Sequence, residues 1–515
     1  MKRILLFSLL LTALYSCKKE KAIEEPEFFV NEDAKTFAEI GMLDIGEIGA
    51  AEISAFDPLT NKLFVVKNEN EGTPTQDNRI AVVDFKNPAA MTVIGSISMT
   101  PFGGAVNSVA VSEGKLAAAI QNNDKQGNGK VVVFKTSDHS VIAEINVGAL
   151  PDMVTFSPDG KYIMSANEGE PNATYTNDPE GTVSIISVAN NYAVTTINFS
   201  SMTSQLPALA AKGFRIFGPG KNFVKDIEPE YITISADSKT AWVTLQENNA
   251  IAKIDIASKT ITNIFPLGFK DYNIAGNEID PSDVPNQIGK YTPAKWPVKG
   301  MYLPDGIAVL ESNGTPYLFT ANEGDTREYE GFFVEFLRVK NKDIKLDPTI
   351  FPNAADLKTD EKLGRLNVTT TLGDTDGDGD LDELYSIGSR SFSVWNGNTG
   401  TQIYDSKNEL DVKCVAAGAY DYLRSDDKSV EPEGVALGIV GNTKVAFVGM
   451  ERADAVAVYD VTVPTSPVFL QLLKCGDAPE GVLFIPAKNS PTKKSLLIVS
   501  SENDGVLKVY TPNTI

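Results

Sequence analysis

One histidine in 515 residues is the first constraint on this chain. His139 lies in Thr136-Ser137-Asp138-His139-Ser140, which reads as a hairpin turn, and no second imidazole exists to join it. Zinc chemistry of the alkaline-phosphatase kind needs several histidine ligands and paired-histidine haem ligation needs two, so both are excluded. No nucleophile elbow accompanies His139, which removes a Ser-His-Asp triad, and no catalytic residue is assigned. Cysteine is nearly as scarce. Cys17, Cys414 and Cys475 have no zinc spacing, and the last two are equally compatible with a bridge or with two buried thiols. Basic residues are outnumbered, 46 Lys and Arg against 68 Asp and Glu, giving a formal net charge of −22. That balance opposes binding to nucleic acid or anionic lipid, which needs clustered cations, and favours binding of cations. The Gly-rich stretches lack a phosphate-loop pattern, and helix signals are confined to residues 202–212.

The one marked apolar run is at the N-terminus. Lys2 and Arg3 precede residues 4–14, too short to cross a bilayer, and Leu14-Tyr15-Ser16-Cys17 has the form of a lipobox. Residues 1–17 are expected to be a lipoprotein signal ending at Cys17, the site of lipidation. Residues 18–35 are expected to be a flexible tether. The expected address is the bacterial cell envelope, lipid-anchored, at the outer membrane, periplasmic or surface-exposed.

From residue 36 the chain repeats. An acidic residue, an apolar strand, a turn and a second apolar strand ending near Asn-Glu recur from Ala51, Asn107, Pro151, Pro229, Pro304, Pro432 and Pro479. The apolar runs are short and rich in Val, Ile, Phe and Tyr, so they read as buried strands separated by turns of the Pro-Asp-Gly type. Third and fourth strands follow in most copies. Four antiparallel strands per unit make a β-propeller blade, so the fold class is all-β, a single propeller over residues 36–515. Residues 37–45 read as an orphan fourth strand that closes the ring against the third strand at 506–510. Residues 366–371, 384–388, 391–395 and 402–404 supply four more strands, so eight blades are favoured over seven. Residues 268–300 and 343–362 read as insertions.

The carboxylates keep phase with the strands. Glu52, Asp152, Glu230, Asp305, Glu433 and Glu480 precede first strands, and Glu69, Glu168, Glu247, Glu323, Glu451 and Glu502 follow second strands. Both positions fall on one face of a propeller near its axis, so a carboxylate ring is expected at one channel mouth. Arg327, Arg390 and Arg452 follow second strands and are candidate partners for these acids or for an anionic ligand. The ring has two readings: backbone locks between blades, or a metal or polar-ligand site.

Asp374, Asp376, Asp378, Asp380 and Asp382 alternate with Thr375, Gly377, Gly379 and Leu381, and Gly379 follows the third. This resembles the first half of an EF-hand loop and points to Ca2+, although Tyr385 stands where the bidentate Glu belongs and no flanking helices are evident. Glu383 is a candidate substitute.

The strings DIEPEYITIS, AWVTLQENNAIAKID, TANEGDTREY, GSRSFSVWNGNTG, EPEGVALG and APEGVLFIPAKNSP resemble the choice-of-anchor I family of secreted bacterial propellers, themselves similar to mesenchyme-specific cell surface glycoproteins. The resemblance implies a propeller tethered to the envelope. The function expected is a membrane-anchored, calcium-stabilised binding module for a protein, glycan or small anionic ligand. The alternative is a calcium-dependent phosphoesterase with its acidic site at the channel mouth.

Overall fold

The computed structural model describes residues 28–69, 76–284, 288–329 and 332–515. The leader and Cys17 lie outside the described residues. Among the described residues, seven sheets of four antiparallel strands form. Blade 1 is Ala50–Asp57, Lys62–Glu69, Asp77–Asp84 and Thr92–Ser98. Blade 2 is Val106–Ser112, Lys115–Ile120, Asn128–Lys135 and Val141–Ala149. Blade 3 is Pro151–Phe156, Tyr162–Asn167, Thr182–Ser187 and Ala193–Asn198. Blade 4 is Pro229–Ile234, Thr240–Leu245, Ala250–Asp255 and Thr260–Pro266. Blade 5 is Ile307–Ser312, Thr315–Asn322, Ser391–Asn396 and Gln402–Asp405. Blade 6 is Pro432–Val440, Thr443–Met450, Ala455–Asp460 and Val468–Lys474. Blade 7 is Pro479–Ile485, Leu496–Ser501 and Val506–Thr514, with Glu32–Asp44 as its outer strand, paired from Glu32 with Thr514 to Asp44 with Val506.

Second strands such as Lys115–Ile120 and Leu496–Ser501 are buried along nearly their whole length, because both faces are covered by neighbouring blades. That is why they read as continuous apolar runs rather than alternating ones. Each pair of adjacent blades shares its own apolar core. Phe64 and Val132 join blades 1 and 2, Val133 and Ile163 blades 2 and 3, and Met164 and Val243 blades 3 and 4. Trp242 and Trp395 join blades 4 and 5, Phe319 and Val448 blades 5 and 6, Phe447 and Val499 blades 6 and 7, and Val65 and Ile498 blades 7 and 1. The seven cores run around one axis.

The stretch read as an eighth blade is divided differently. Ser391–Asn396 pairs with Thr315–Asn322 and carries Gln402–Asp405, so these two are the outer strands of blade 5. Asn367–Thr369 and Tyr385–Ser386 join Phe269–Asp271, Lys299–Met301 and Phe336–Arg338 in a separate five-stranded sheet. Residues 323–390 interrupt blade 5 between its second and third strands. Ser391–Asn396 is buried on both faces and finds that environment only beside Thr315–Asn322. The five-stranded sheet has its own core, with Tyr272, Val298, Leu346, Leu366 and Leu384. It leaves the ring where a fourth strand and a second strand end, which is the face where first strands begin.

Residues 202–212 contain a short helix, Leu206–Ala210. Cys414 and Cys475 are both free thiols. His139 has φ 63° in its turn, with Nε2 3.1 Å from the Lys62 ammonium, on the face opposite the start of the first strands.

Candidate functional site

Local sequence fixes how the carboxylates are presented. In blades 3, 5, 6 and 7 the acid is preceded by proline, and the residue before that proline has positive φ: Leu150 47°, Leu303 44°, Glu431 48° and Ala478 55°. A non-glycine residue in this region is strained and persists only where the surroundings hold it. The holding bonds come from the end of the second strand. Glu168 N–H donates to Leu150 O at 2.9 Å, Glu451 N–H to Glu431 O at 2.9 Å, Glu502 N–H to Ala478 O at 2.9 Å, and Gly324 N–H to Leu303 O at 3.1 Å. The acid that opens a blade and the acid that closes its second strand are thereby tied to one spot.

The first-strand acids also touch neighbouring blades through backbone. Gly306 N–H donates to Glu433 O at 3.0 Å. A Cβ at Gly434 would stand 2.6 Å from Glu480 O, and one at Gly481 would stand 2.4 Å from Glu52 O. Glycine after the acid is therefore what lets blades 5, 6 and 7 close on their neighbours. In blade 4 the same position is Tyr231, whose side chain turns to the axis.

On the axis, Asp152, Asp305 and Glu480 line a cavity of about 50 Å³ together with Asn107, Ser108 and Tyr231. Below it, toward the other face, Tyr231, Ile53, Met153 and Val482 also line an apolar cavity of about 290 Å³ with Val109 and Phe484. Burial, then mutual repulsion, raises the mouth carboxyls. Asp152 is pushed up to about 7 by burial and by Glu170. Glu480 is held well above the usual range by burial and by Glu52, Glu502, Asp305 and Asp152, four acids from four blades. Glu230, Glu168, Glu433 and Asp305 are raised in the same way, and Glu168 lies within hydrogen-bonding reach of Glu230. Asp305, Glu323 and Glu433 bring ligand oxygens within 4.8 Å of one another, as do Glu323, Glu431 and Glu451. One oxygen of Glu433 and one of Glu247 are buried without a hydrogen-bond partner. Glu52 accepts from Asn68 Nδ2 at 3.0 Å, and Glu69 pairs with Lys67 at 3.0 Å.

The three arginines take different places. Arg327 is buried and held by Asp226 at 2.5 Å and Glu228 at 2.7 Å, with its guanidinium 4.7 Å from the Phe217 ring. Arg390 is 2 % exposed and donates to the carbonyls of Asp280, Ser425 and Asp427, clamping inserted segments rather than facing the mouth. Arg452 pairs with Glu451 at 2.8 Å and Glu431 at 2.9 Å, at the rim.

The cation at the mouth that the repeat phase does not reveal is Lys428. Its ammonium lies 2.6 Å from Glu431, 3.0 Å from Glu323 and 3.7 Å from Asp325. Burial works against its charge, but Glu323, Glu431 and Asp325 outweigh that and keep it protonated. Gln246 donates to the second oxygen of Glu323 at 2.8 Å. Blades 5 and 6 are thus compensated on their rim by Lys428, whereas among the described residues no basic side chain lines the axial cavity.

The aspartate loop, residues 374–382, lies in the five-stranded sheet between Asn367–Thr369 and Tyr385–Ser386, with no helix on either side. It presents two groups. Asp374, Asp376 and Asp382 bring oxygens within 4.8 Å of one another, and Asp378 and Asp380 do so with Asp347, a residue of the 343–362 insertion. Asp374 accepts from Gly377 N–H at 2.6 Å and Asp382 from Thr375 N–H at 2.8 Å, so the loop curls around its own carboxylates. Gly377 and Gly379 have φ of 84° and 96°, which this curl requires. Glu383 is turned away toward Lys299 at 2.6 Å. Oxygen-only ligands in a flexible loop fit a hard cation such as Ca2+.

A family model described as the choice-of-anchor I domain matches residues 52–464. Among curated proteins, Gigasin-3a of Magallana gigas is 28% identical over 188 residues, covering 30% of this chain and 66% of that protein. Among solved structures, the chain is similar to Kuenenia stuttgartiensis hydrazine synthase, with TM-score 0.48 and 12% identity over 91% of this chain and 97% of that one. It is also similar to the Cps50 (Swd1) β-propeller domain of Myceliophteria thermophila, with TM-score 0.46 and 8% identity over 93% and 100%. The RRP9 WD40 repeats give TM-score 0.49 and 9% identity over 94% and 99%.

Proposed function

We propose that this chain, which belongs to the choice-of-anchor I family, is a lipid-anchored binding module of the cell envelope that takes a cation or a positively charged ligand at its acidic mouth. Calcium at the aspartate loop would stabilise the five-stranded sheet beside that mouth. The observation that carries the reading is the convergence of Asp152, Asp305 and Glu480 on an axial cavity lined, among the described residues, by no basic side chain. Buried carboxylates in such a place need a proton or a cation. The lipobox at residues 14–17 supports the anchor, and the oxygen-ligand groups around Asp374 and Asp347 support calcium.

A small anionic ligand fits the mouth less well. Arg327 is already paired with two carboxylates and Arg390 with backbone carbonyls, so neither is available for a phosphate. This weakens the phosphoesterase reading in the same way. A protein ligand would be recognised through Lys or Arg side chains inserted into the mouth.

Calcium titration by calorimetry on residues 18–515 tests the proposal. Two classes of site are expected, one removed by Asp376→Asn with Asp378→Asn and one by Glu433→Gln, with circular dichroism unchanged. A single class indifferent to Glu433→Gln and Glu230→Gln would remove cation binding from the mouth. Calcium-dependent phosphoester turnover, lost in Glu323→Gln, would replace the binding module with an enzyme.

A further inference from the structure

We propose that the face opposite the carboxylates rests on the lipid bilayer that holds the chain, so that the acidic mouth points away from the membrane. The inference rests on the anchoring reading above. It comes from the direction in which the outer strand of blade 7 runs.

Glu32 opens that strand beside the turn between the first two strands of its own blade, where its carboxylate accepts from Ser495 N–H at 2.8 Å. Asp44 ends it at the mouth, where Ile45 N–H donates to Gly505 O at 3.0 Å. The chain therefore arrives on the turn face. Phe28 and Phe29 lie there, lining a cavity of about 520 Å³ with Leu437, Ile439, Phe484 and Pro486. Cys17 is eleven residues before Phe28, an extended reach of at most about 40 Å. A blade is itself about 25 Å deep, so presenting the mouth to the same membrane would spend most of the tether running alongside the ring.

The turn face carries side chains suited to a lipid surface. The turn face exposes large apolar groups at its hairpins and chain ends: Phe28 at 48 %, Leu59 at 72 %, Ile439 at 60 %, Val463 at 57 % and Ile515 at 79 %. Lys488 and Lys493 stand exposed among them, with the Lys493 ammonium 5.9 Å from the Phe28 ring. Apolar tips with lysines that reach past them suit the boundary between headgroups and acyl chains.

The test uses the full lipoprotein, purified from membranes and placed in vesicles containing a nitroxide headgroup lipid. Mass spectrometry first reads the acyl chains on Cys17. Fluorophores are then attached to Ser137→Cys on the turn face and Asn123→Cys on the mouth face, both in blade 2, with the parent chain as a labelling control. Quenching at least about threefold stronger at Ser137→Cys is expected, and Leu59→Asp with Ile439→Asp should reduce that ratio by more than half. Equal quenching, or stronger quenching at Asn123→Cys, overturns the orientation while leaving the anchor in place. Cross-links between the turn faces of two copies would assign the surface to self-association instead. An unacylated Cys17 removes the anchor and this proposal with it.

Discussion

Lys428 holds its ammonium 3.0 Å from the carboxylate of Glu323, a residue more than a hundred positions earlier that closes the second strand of blade 5. The pair is nearly buried, at 11 % and 14 % side-chain exposure. Removing one partner of such a pair leaves an uncompensated charge, so Lys428→Met should cost about 3–5 kcal/mol in chemical denaturation without calcium. Added calcium should recover part of the loss, because a divalent cation can take over the role of the ammonium between Glu323 and Glu433.

The mouth makes stability fall as pH rises. Its carboxyls titrate higher in the folded chain than in the unfolded one, Asp152 at about 7 and Glu230 and Glu480 well above the usual range, all raised first by burial. Between the ordinary carboxyl range near 4 and those values the folded state holds more protons than the unfolded state, so deprotonation favours unfolding. In a chelator the melting temperature should drop from pH 5 to pH 8, and calcium should restore it at pH 8 more than at pH 5. Differential scanning fluorimetry over that range would read both effects. A melting temperature that rises with pH in chelator would mean the acids are satisfied by protein groups alone.

The aspartate loop has a partner outside its own motif. Asp347 joins Asp378 and Asp380, so Asp347→Asn should weaken calcium binding at the loop about tenfold, roughly 1.4 kcal/mol. Asp376→Asn should do the same from the other group. Titration of the two single variants would show whether the groups share one ion or act in separate steps.

Packing at the axis gives a metal-independent prediction. The Cβ of Gly434→Ala would lie 2.6 Å from Glu480 O, a backbone atom with little room to move. The substitution should cost about 1–3 kcal/mol, read from the denaturation midpoint with and without calcium. A neutral result would show that blades 6 and 7 approach each other less closely.

Most strands were legible in the sequence because each repeat is local. Asp152 and Glu168 sit sixteen residues apart, and the bond from Glu168 N–H to Leu150 O ties their two strands together within one repeat. What failed was whatever an insertion separates. Ser391–Asn396 looked like part of a new blade because its partner Thr315–Asn322 lies on the far side of residues 323–390. Arg390 ends that same insertion, so its nearness to a strand in sequence said nothing about where the side chain turned. Lys428 and Asp347 lie outside the repeat period, and only the packing of inserted segments against the ring brings them to Glu323 and Asp378.

The pairing of Glu32–Asp44 with Val506–Thr514 also sets a timetable. Thr36 Oγ1 accepts from Asn513 N–H across 477 positions, so the outermost strand of blade 7 is made long before its partner. Five blades can gather from contiguous segments and blade 5 across residues 323–390, but the seventh waits for Val506–Thr514. Until then the strand Glu32–Asp44 stands without its partner. That interval is when the chain is most exposed to mispairing with another copy of itself. Conditions that slow synthesis, transport or dilution should therefore act on yield through this one seam long before they affect the finished ring.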